Sequence, residues 1–297
     1  MNRVNTIALF SIILFGMIGC QSSEERSSLK LNTVQDSTDI AYTITGLDGP
    51  EAVRYDPEQK VYFIANFTGG GNDQDSTGFV TKADAEGNIQ DLKFMVGTDE
   101  ASLHAPRGMY IVNETLWVAD VLGVHGFNRS TGEQTDFIDF TQFEIGFLND
   151  ISADENGVLY VTDTGTSVVY KIENGEPSIF LSDLPSAPNG ITLDPNSGKF
   201  LLAPWGGDQV FYTFDGTGEL DEFATLEGGN FDGIEFLGTN LLSASQNDSS
   251  IRVYRPMHEM KLIHTTGRPA DIGINTDLNH IAVPYIALDK VEIWALN

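Results

Sequence analysis

The chain has 297 residues, with 16 Lys+Arg against 43 Asp+Glu and a formal net charge of −27. So acidic a surface repels phosphate backbones, which excludes nucleic acid as a partner class. The single cysteine rules out an intramolecular disulfide, and the length is enough to bury a sizeable core.

The chain opens with a short positive start at Asn2-Arg3, then an almost unbroken apolar stretch from Thr6 to Ile18. That stretch is short for a membrane span and fits a secretory signal core over residues 1–19. Met17-Ile18-Gly19-Cys20 resembles a bacterial lipobox. The resemblance implies cleavage before Cys20 and acylation of it, anchoring the chain in a membrane. The competing reading of Cys20 is a free structural thiol. Gln21 stands where an inner-membrane retention signal would have Asp, so the expected location is the bacterial cell envelope at the outer membrane. Residues 20–38 are rich in Ser, Glu, Gln and Asp and read as a flexible tether.

A strand-like run, Ile40-Ala41-Tyr42-Thr43-Ile44-Thr45, follows. A short motif then recurs six times: Pro50-Glu51-Ala52-Val53, Pro106-Arg107-Gly108-Met109, Leu148-Asn149-Asp150-Ile151, Pro188-Asn189-Gly190-Ile191, Phe231-Asp232-Gly233-Ile234 and Pro269-Ala270-Asp271-Ile272. After a longer first interval the copies lie roughly 40 residues apart, the period of a four-stranded propeller blade. No amphipathic run of period 3.6 is present to support a helical repeat. Each copy is followed by β-branched and aromatic runs bounded by turn residues, such as Val158–Thr162, Ser167–Ile172 and Ser178–Leu181 in the third copy. The sixth copy ends at Val291-Glu292-Ile293-Trp294 without a fourth run. The unused run at 40–45 completes it if the two ends of the chain pair. The expected fold is therefore all-β, a six-bladed β-propeller over residues 39–297 whose ring is closed by the N-terminal strand.

In such a ring the second residue of each motif converges on one mouth of the central channel. Those residues are Glu51, Arg107, Asn149, Asn189, Asp232 and Ala270. Two carboxylates and two amides balance one divalent cation. With no His or Cys among them, Glu51, Asn149, Asn189 and Asp232 favour Ca²⁺, or Mg²⁺ and Mn²⁺, over Zn²⁺. Asn-Asp, Asn-Gly and Asp-Gly are also ordinary turn dipeptides, but a turn requirement does not explain Glu51. Asp150 and Asp271 follow ring positions and read as structural.

The motifs at Glu51, Asn149, Asn189 and Asp232 resemble, in order and spacing, those of the regucalcin/gluconolactonase propellers, the senescence marker protein family that includes luciferin-regenerating enzyme. The resemblance spans nearly all of residues 40–297. It implies a metal-dependent hydrolase acting on a small-molecule lactone or ester. It also implies Glu51, Asn189 and Asp232 as ligands of a catalytic divalent cation, with Asn149 as a fourth ligand or a substrate contact. Sugar-lactone members often carry a substrate-binding Arg two residues before the Asn of the Asn-Asp pair. Phe147 stands there in this chain, which shifts the expectation toward a more apolar lactone or ester.

Attack on the substrate would come from a metal-associated water or from Asp232 itself. Arg107 is a candidate oxyanion stabiliser, its alternative a salt bridge to Glu51 or Asp232. His104 is a candidate general base, its alternative an ordinary loop histidine. Trp205 and Tyr285, on loops opening at the same mouth, would form an aromatic substrate wall or pack between blades. The blade-one insertion from Thr68 to Asp75 is a candidate lid, and its Asp73 and Asp75 match a calcium loop only weakly. Competing with a hydrolase, expected as a monomer, are a ligand-binding propeller without turnover and an interaction propeller pinned by a structural calcium ion.

Overall fold

The computed structural model describes residues 39–255 and 258–296. The expected signal segment, lipobox at Cys20 and tether to residue 38 lie outside these residues. The short β-branched and aromatic runs form antiparallel strands, and these gather into six four-stranded sheets. Blade one runs outward through Pro50–Asp56, Val61–Asn66, Phe79–Asp84 and Ile89–Met95. The inner strands of the other blades are Met109–Val112, Leu148–Ala153, Pro188–Leu193, Phe231–Leu237 and Gly273–Asn275. Composition sorts the strands radially. Leu148–Ala153 is buried throughout, whereas Ile89–Met95, with Gln, Asp and Lys in its centre, is mostly exposed.

The ring closes as the sequence predicts. Ile40–Thr45 pairs antiparallel with Lys290–Ala295, setting Thr43 opposite Glu292 and Ile44 opposite Val291. The last sheet thus takes one strand from the start of the chain and three from its end. Apolar side chains pack between blades rather than around one centre. Phe63, Val80 and Met95 of blade one meet Met109, Leu116 and Phe127 of blade two. Val53, Tyr62 and Ile64 of blade one meet Ile44, Ala282 and Val291 of blade six. Burying a side chain of this size contributes about 1.5–3 kcal/mol. Arg129 adds a bidentate tie between blades one and two, donating from Nη1 to both Asp56 oxygens at 3.0 and 2.9 Å.

The inner strands end in turns that the sequence encodes locally. Asp56 accepts the Glu58 and Gln59 amides, Asp154 those of Asn156 and Val158, Asp194 that of Asn196, and Asn275 those of Asp277 and Leu278. These side chains take up backbone donors that the turn would otherwise leave free. Each stands three residues after its motif's apolar anchor, a second element of the repeat.

Candidate metal centre and substrate cavity

The ring residues sit where strand pairing lapses. Inner-strand registers break between Pro50 and Ala52, Leu148 and Ile151, Pro188 and Ile191, and Phe231 and Ile234. Glu51, Asn149, Asn189 and Asp232 lie inside those four breaks. Such a bulge re-aims a side chain, and here it brings all four to one cavity of about 370 Å³.

The glycines after the ring positions permit close approach of neighbouring strands. A Cβ on Gly190 would fall 2.4 Å from the Asp232 carbonyl oxygen, and one on Gly233 would fall 2.2 Å from Asp271 Oδ1. On Gly108 it would lie 2.5 Å from Asp150 Cα. None of the three has a positive φ, so the turn-dipeptide reading gives way to one of packing. Asp150 and Asp271 hold the inner strands together, as their predicted structural role requires. Asp150 accepts the Ile191 amide of the next blade at 2.8 Å. Asp271 exchanges backbone bonds with Glu51 and Val53 across the ring closure.

The cavity floor is formed by Glu51, Asn149, Asn189, Asp232 and Gln246, and its walls include Phe67, Phe147, Trp205 and Ile286. Glu51 Oε2, Asn189 Oδ1 and Asp232 Oδ1 are buried acceptors without a hydrogen-bond partner. Buried acceptors of this kind are normally satisfied, and three together are a donor set that could hold a hard cation. The remaining polar atoms are oriented by neighbours. Asn149 Nδ2 donates to Thr164 Oγ1 at 3.0 Å, and Gln246 donates to Asp232 Oδ2. Among the described residues no three His, Cys, Asp or Glu side chains gather as a metal site. The set here combines two carboxylates with two amides.

Charge is crowded in this channel. Burial and then the Asp232 carboxylate push the Glu51 carboxyl well above its ordinary value, with Arg107 offsetting part of the rise. Burial, aided by Asp150, pushes Asp232 up to about 7 against the pull of Gln246, Arg268 and the Asn189 amide. Burial also raises Asp150 to about 7 and Asp271 well above the carboxylate range. Elsewhere along the inner strands Arg54 pairs with Glu235, donates to the Met109 carbonyl at 2.8 Å and stacks on Tyr110.

Three predicted site residues lie elsewhere. Arg107 is fully buried but does not line the cavity. Its guanidinium lies 3.7 Å from the Phe147 ring centroid and 5.6 Å from that of Phe67. It donates to the Leu148 carbonyl at 2.6 Å and to Asn72 Oδ1 at 3.1 Å. It is therefore a brace behind the aromatic wall, and it forms no ion pair with Glu51 or Asp232. His104 is also outside the cavity. Its Nδ1 accepts the Ser76 amide at 3.0 Å, which ties down the base of the insertion and leaves no contact with the floor for a general base. Tyr285 is buried in the blade-six core and donates to Glu292 at 2.8 Å, while the next residue, Ile286, lines the cavity in its place. Phe147 and Trp205 do line it.

The insertion covers one side of the mouth. Asn72 bridges Arg107 and the Gly146 carbonyl, and Gly71 lies against Phe147. Asp73 and Asp75 are occupied within it by the Gly70 amide and by Thr77.

Residues not singled out in the sequence brace the loops that lead into the ring. Asp163 accepts the amides of Gly146, Phe147, Gly165 and Thr166. Asp120 accepts those of His104 and Ala105, and Asn66 that of Asp48. All three stand at or just beyond the end of the second strand of a blade. That shared repeat position is the signal that could have found them.

No family model matches the sequence, and no curated protein matches it. Solved structures do. A structural-genomics target provisionally described as a gluconolactonase aligns at TM-score 0.66 and 16% identity, over 84% of this chain and 90% of that one. The catalytically inactive His-to-Ala variant of virginiamycin B lyase from Staphylococcus aureus, solved with quinupristin, aligns at TM-score 0.58 and 14% identity, over 86% and 98%. A chain of a nidogen/laminin complex aligns at 0.62 and 18%, over 75% and 84%. Likeness at this identity establishes the propeller fold, which these proteins share.

Proposed function

We propose that this chain is a metal-dependent hydrolase of small lactones or esters with substantial apolar character. The observation that carries the reading is the set of unpartnered buried acceptors, Glu51 Oε2, Asn189 Oδ1 and Asp232 Oδ1, on the floor of an aromatic-walled cavity. Glu51, Asn149, Asn189 and Asp232 would hold the cation, with Ca²⁺ the best match to an all-oxygen set. When bound there, such an ion supplies Lewis-acid polarisation of a carbonyl oxygen.

The chain's own residues supply the rest. Phe147, Phe67, Trp205 and Ile286 hold the apolar part of the substrate and exclude water. Gln246 fixes one Asp232 oxygen and leaves the other free toward the cavity. As a base, Asp232 takes a proton from water while the water oxygen adds to the carbonyl carbon. As a nucleophile, it adds to that carbon itself, and water then cleaves the acyl–Asp232 bond, giving the free acid, restoring the carboxylate and supplying the proton. In either case the ester C–O bond breaks and the leaving oxygen takes up a proton.

A lyase is another activity named among the structural neighbours, and there a histidine variant is inactive. Among the described residues no histidine lines the present cavity, which favours hydrolysis. The lipid-anchored envelope location read from Cys20 belongs to the same proposal, and radiolabelled palmitate incorporation lost in Cys20→Ala tests it. For the activity, alkyl γ-lactones, δ-lactones and aryl esters are screened with Ca²⁺ and with chelator. Hydrolysis is expected only with the ion, and Glu51→Ala and Asp232→Ala should lose it. Undiminished turnover by Asp232→Ala would overturn the assignment.

A further inference from the structure

Arg268 is the basic residue of the cavity lining, and no motif in the sequence singles it out. It stands two residues before Ala270, the ring position that carries no polar group. Its side chain is exposed and makes no hydrogen bond or ion pair with any described residue.

The residues flanking it, in contrast, are held on both sides. Thr265 Oγ1 donates to the Gly267 carbonyl at 2.8 Å, and Thr266 Oγ1 to Glu292 at 3.0 Å. The Ala270 amide donates to the Pro284 carbonyl at 3.0 Å. The free guanidinium thus projects from a fixed loop. Its field reaches the floor, where it opposes the upward shift of Asp232.

Charge balance indicates what this cation is for. A divalent ion on the floor cancels Glu51 and Asp232. Arg107 is enclosed by two aromatic rings and a carbonyl. Arg268 remains as the accessible positive charge facing the cavity of a protein whose net charge is −27. A neutral apolar substrate gives it nothing to bind.

We propose that Arg268 is a specificity-determining residue that binds an anionic substituent, a carboxylate or similar oxyanion, of a substrate whose apolar part lies against Phe147 and Trp205. This rests on the small-molecule cavity assigned above and narrows its substrate class to amphiphilic anions. A guanidinium pairs with carboxylates through charge-assisted, often bidentate hydrogen bonds, which the floor amides do not match.

The test is a binding measurement independent of turnover. The affinities of 3-phenylpropanoate and 3-phenylpropan-1-ol are measured by calorimetry on the unmodified protein and on Arg268→Gln, with Ca²⁺ and with chelator. The unmodified protein should bind the carboxylate at least tenfold more tightly than the alcohol in the presence of Ca²⁺. Arg268→Gln should abolish that preference, leave the affinity for the alcohol within twofold and leave the melting temperature unchanged. Arg268→Glu should reverse the preference toward 3-phenylpropylammonium. Equal affinities in the unmodified protein, or a preference surviving in Arg268→Gln, would overturn the proposal. A preference that survives there with Ca²⁺ but vanishes with chelator assigns the carboxylate to the ion instead. Arg268-dependent binding without hydrolysis of any ester would refute the hydrolase and leave this inference standing.

Discussion

Replacing Asp232 with Asn should stabilise the metal-free protein at alkaline pH while destroying its response to calcium. In the folded, metal-free chain the Asp232 carboxyl is raised from 3.8 to about 7, chiefly by burial. Folding therefore retains a proton that the unfolded chain releases. This group's contribution to stability is fully present below the unfolded value and is lost as pH rises through the folded one. About three pH units at 1.36 kcal/mol each make the loss on the order of 4 kcal/mol by pH 8. The amide of the variant would carry no such charge. Glu51, relieved of its neighbour, ionises more readily and adds to the gain, while part of it is returned because the buried amide must find hydrogen-bond partners beside Gln246. The expected net advantage at pH 8 is about 2 kcal/mol or more, roughly 4–8 °C in melting temperature for a domain of this size. It should vanish near pH 4. Calcium at a thousandfold its Kd would stabilise the unmodified protein by ~4 kcal/mol at pH 8 and the variant by almost nothing. Thermal melts of both proteins from pH 4 to pH 8, with chelator and with calcium, measure each quantity. If Asp232→Asn is the less stable protein at pH 8 in chelator, the protein itself satisfies this carboxylate and the argument for a cation fails.

Other perturbations probe the supporting structure. Asp163→Ala strands up to four backbone amides and should cost about 3 kcal/mol or more by urea denaturation, at about 1–3 kcal/mol per unsatisfied group. Arg107→Ala removes the brace between Phe67, Phe147 and the Leu148 carbonyl; a loss of roughly 2–4 kcal/mol by the same assay is expected, with weaker calcium binding through a displaced Asn149. His104→Gln should leave the pH–rate profile of any hydrolysis unchanged, because its ring is engaged by Ser76 outside the cavity. Gly233→Ala forces a methyl to within 2.2 Å of Asp271 Oδ1, and a destabilisation of about 1–3 kcal/mol should appear in the same melts.

The blades are legible in the sequence because their signals are local. Period-two strands, Asx turns and one motif per blade survive there without any knowledge of partners. The ring positions are legible because the same bulge recurs at the same place in the inner strands. The fate of Arg107 is not, since its aromatic sandwich joins the blade-one insertion to a blade-three loop and no local pattern records that meeting. Tyr285 is one residue away from the side chain that lines the cavity. Sequence spacing locates a loop but not which side chain turns inward, and Ile286 begins the short 3₁₀ turn that lines it. Asp120 and Asp163 resemble surface turn acids until the amides they hold are seen. Arg268 is hidden by the blandness of its own motif, where Ala270 occupies the ring position.

The joining of Ile40–Thr45 to Lys290–Ala295 has a consequence for the order of folding. Within blades, successive strands are hairpin neighbours and can pair as soon as they are synthesised. The closing pair brings together opposite ends of the domain, and its loop-closure entropy is offset only when the intervening blades have already curved the ends together. During synthesis the chain would therefore pass through an open arc with an unpaired edge on its first and latest blades. Removing residues 39–45 would make that arc permanent, trading a closed ring for a species prone to strand exchange with its neighbours.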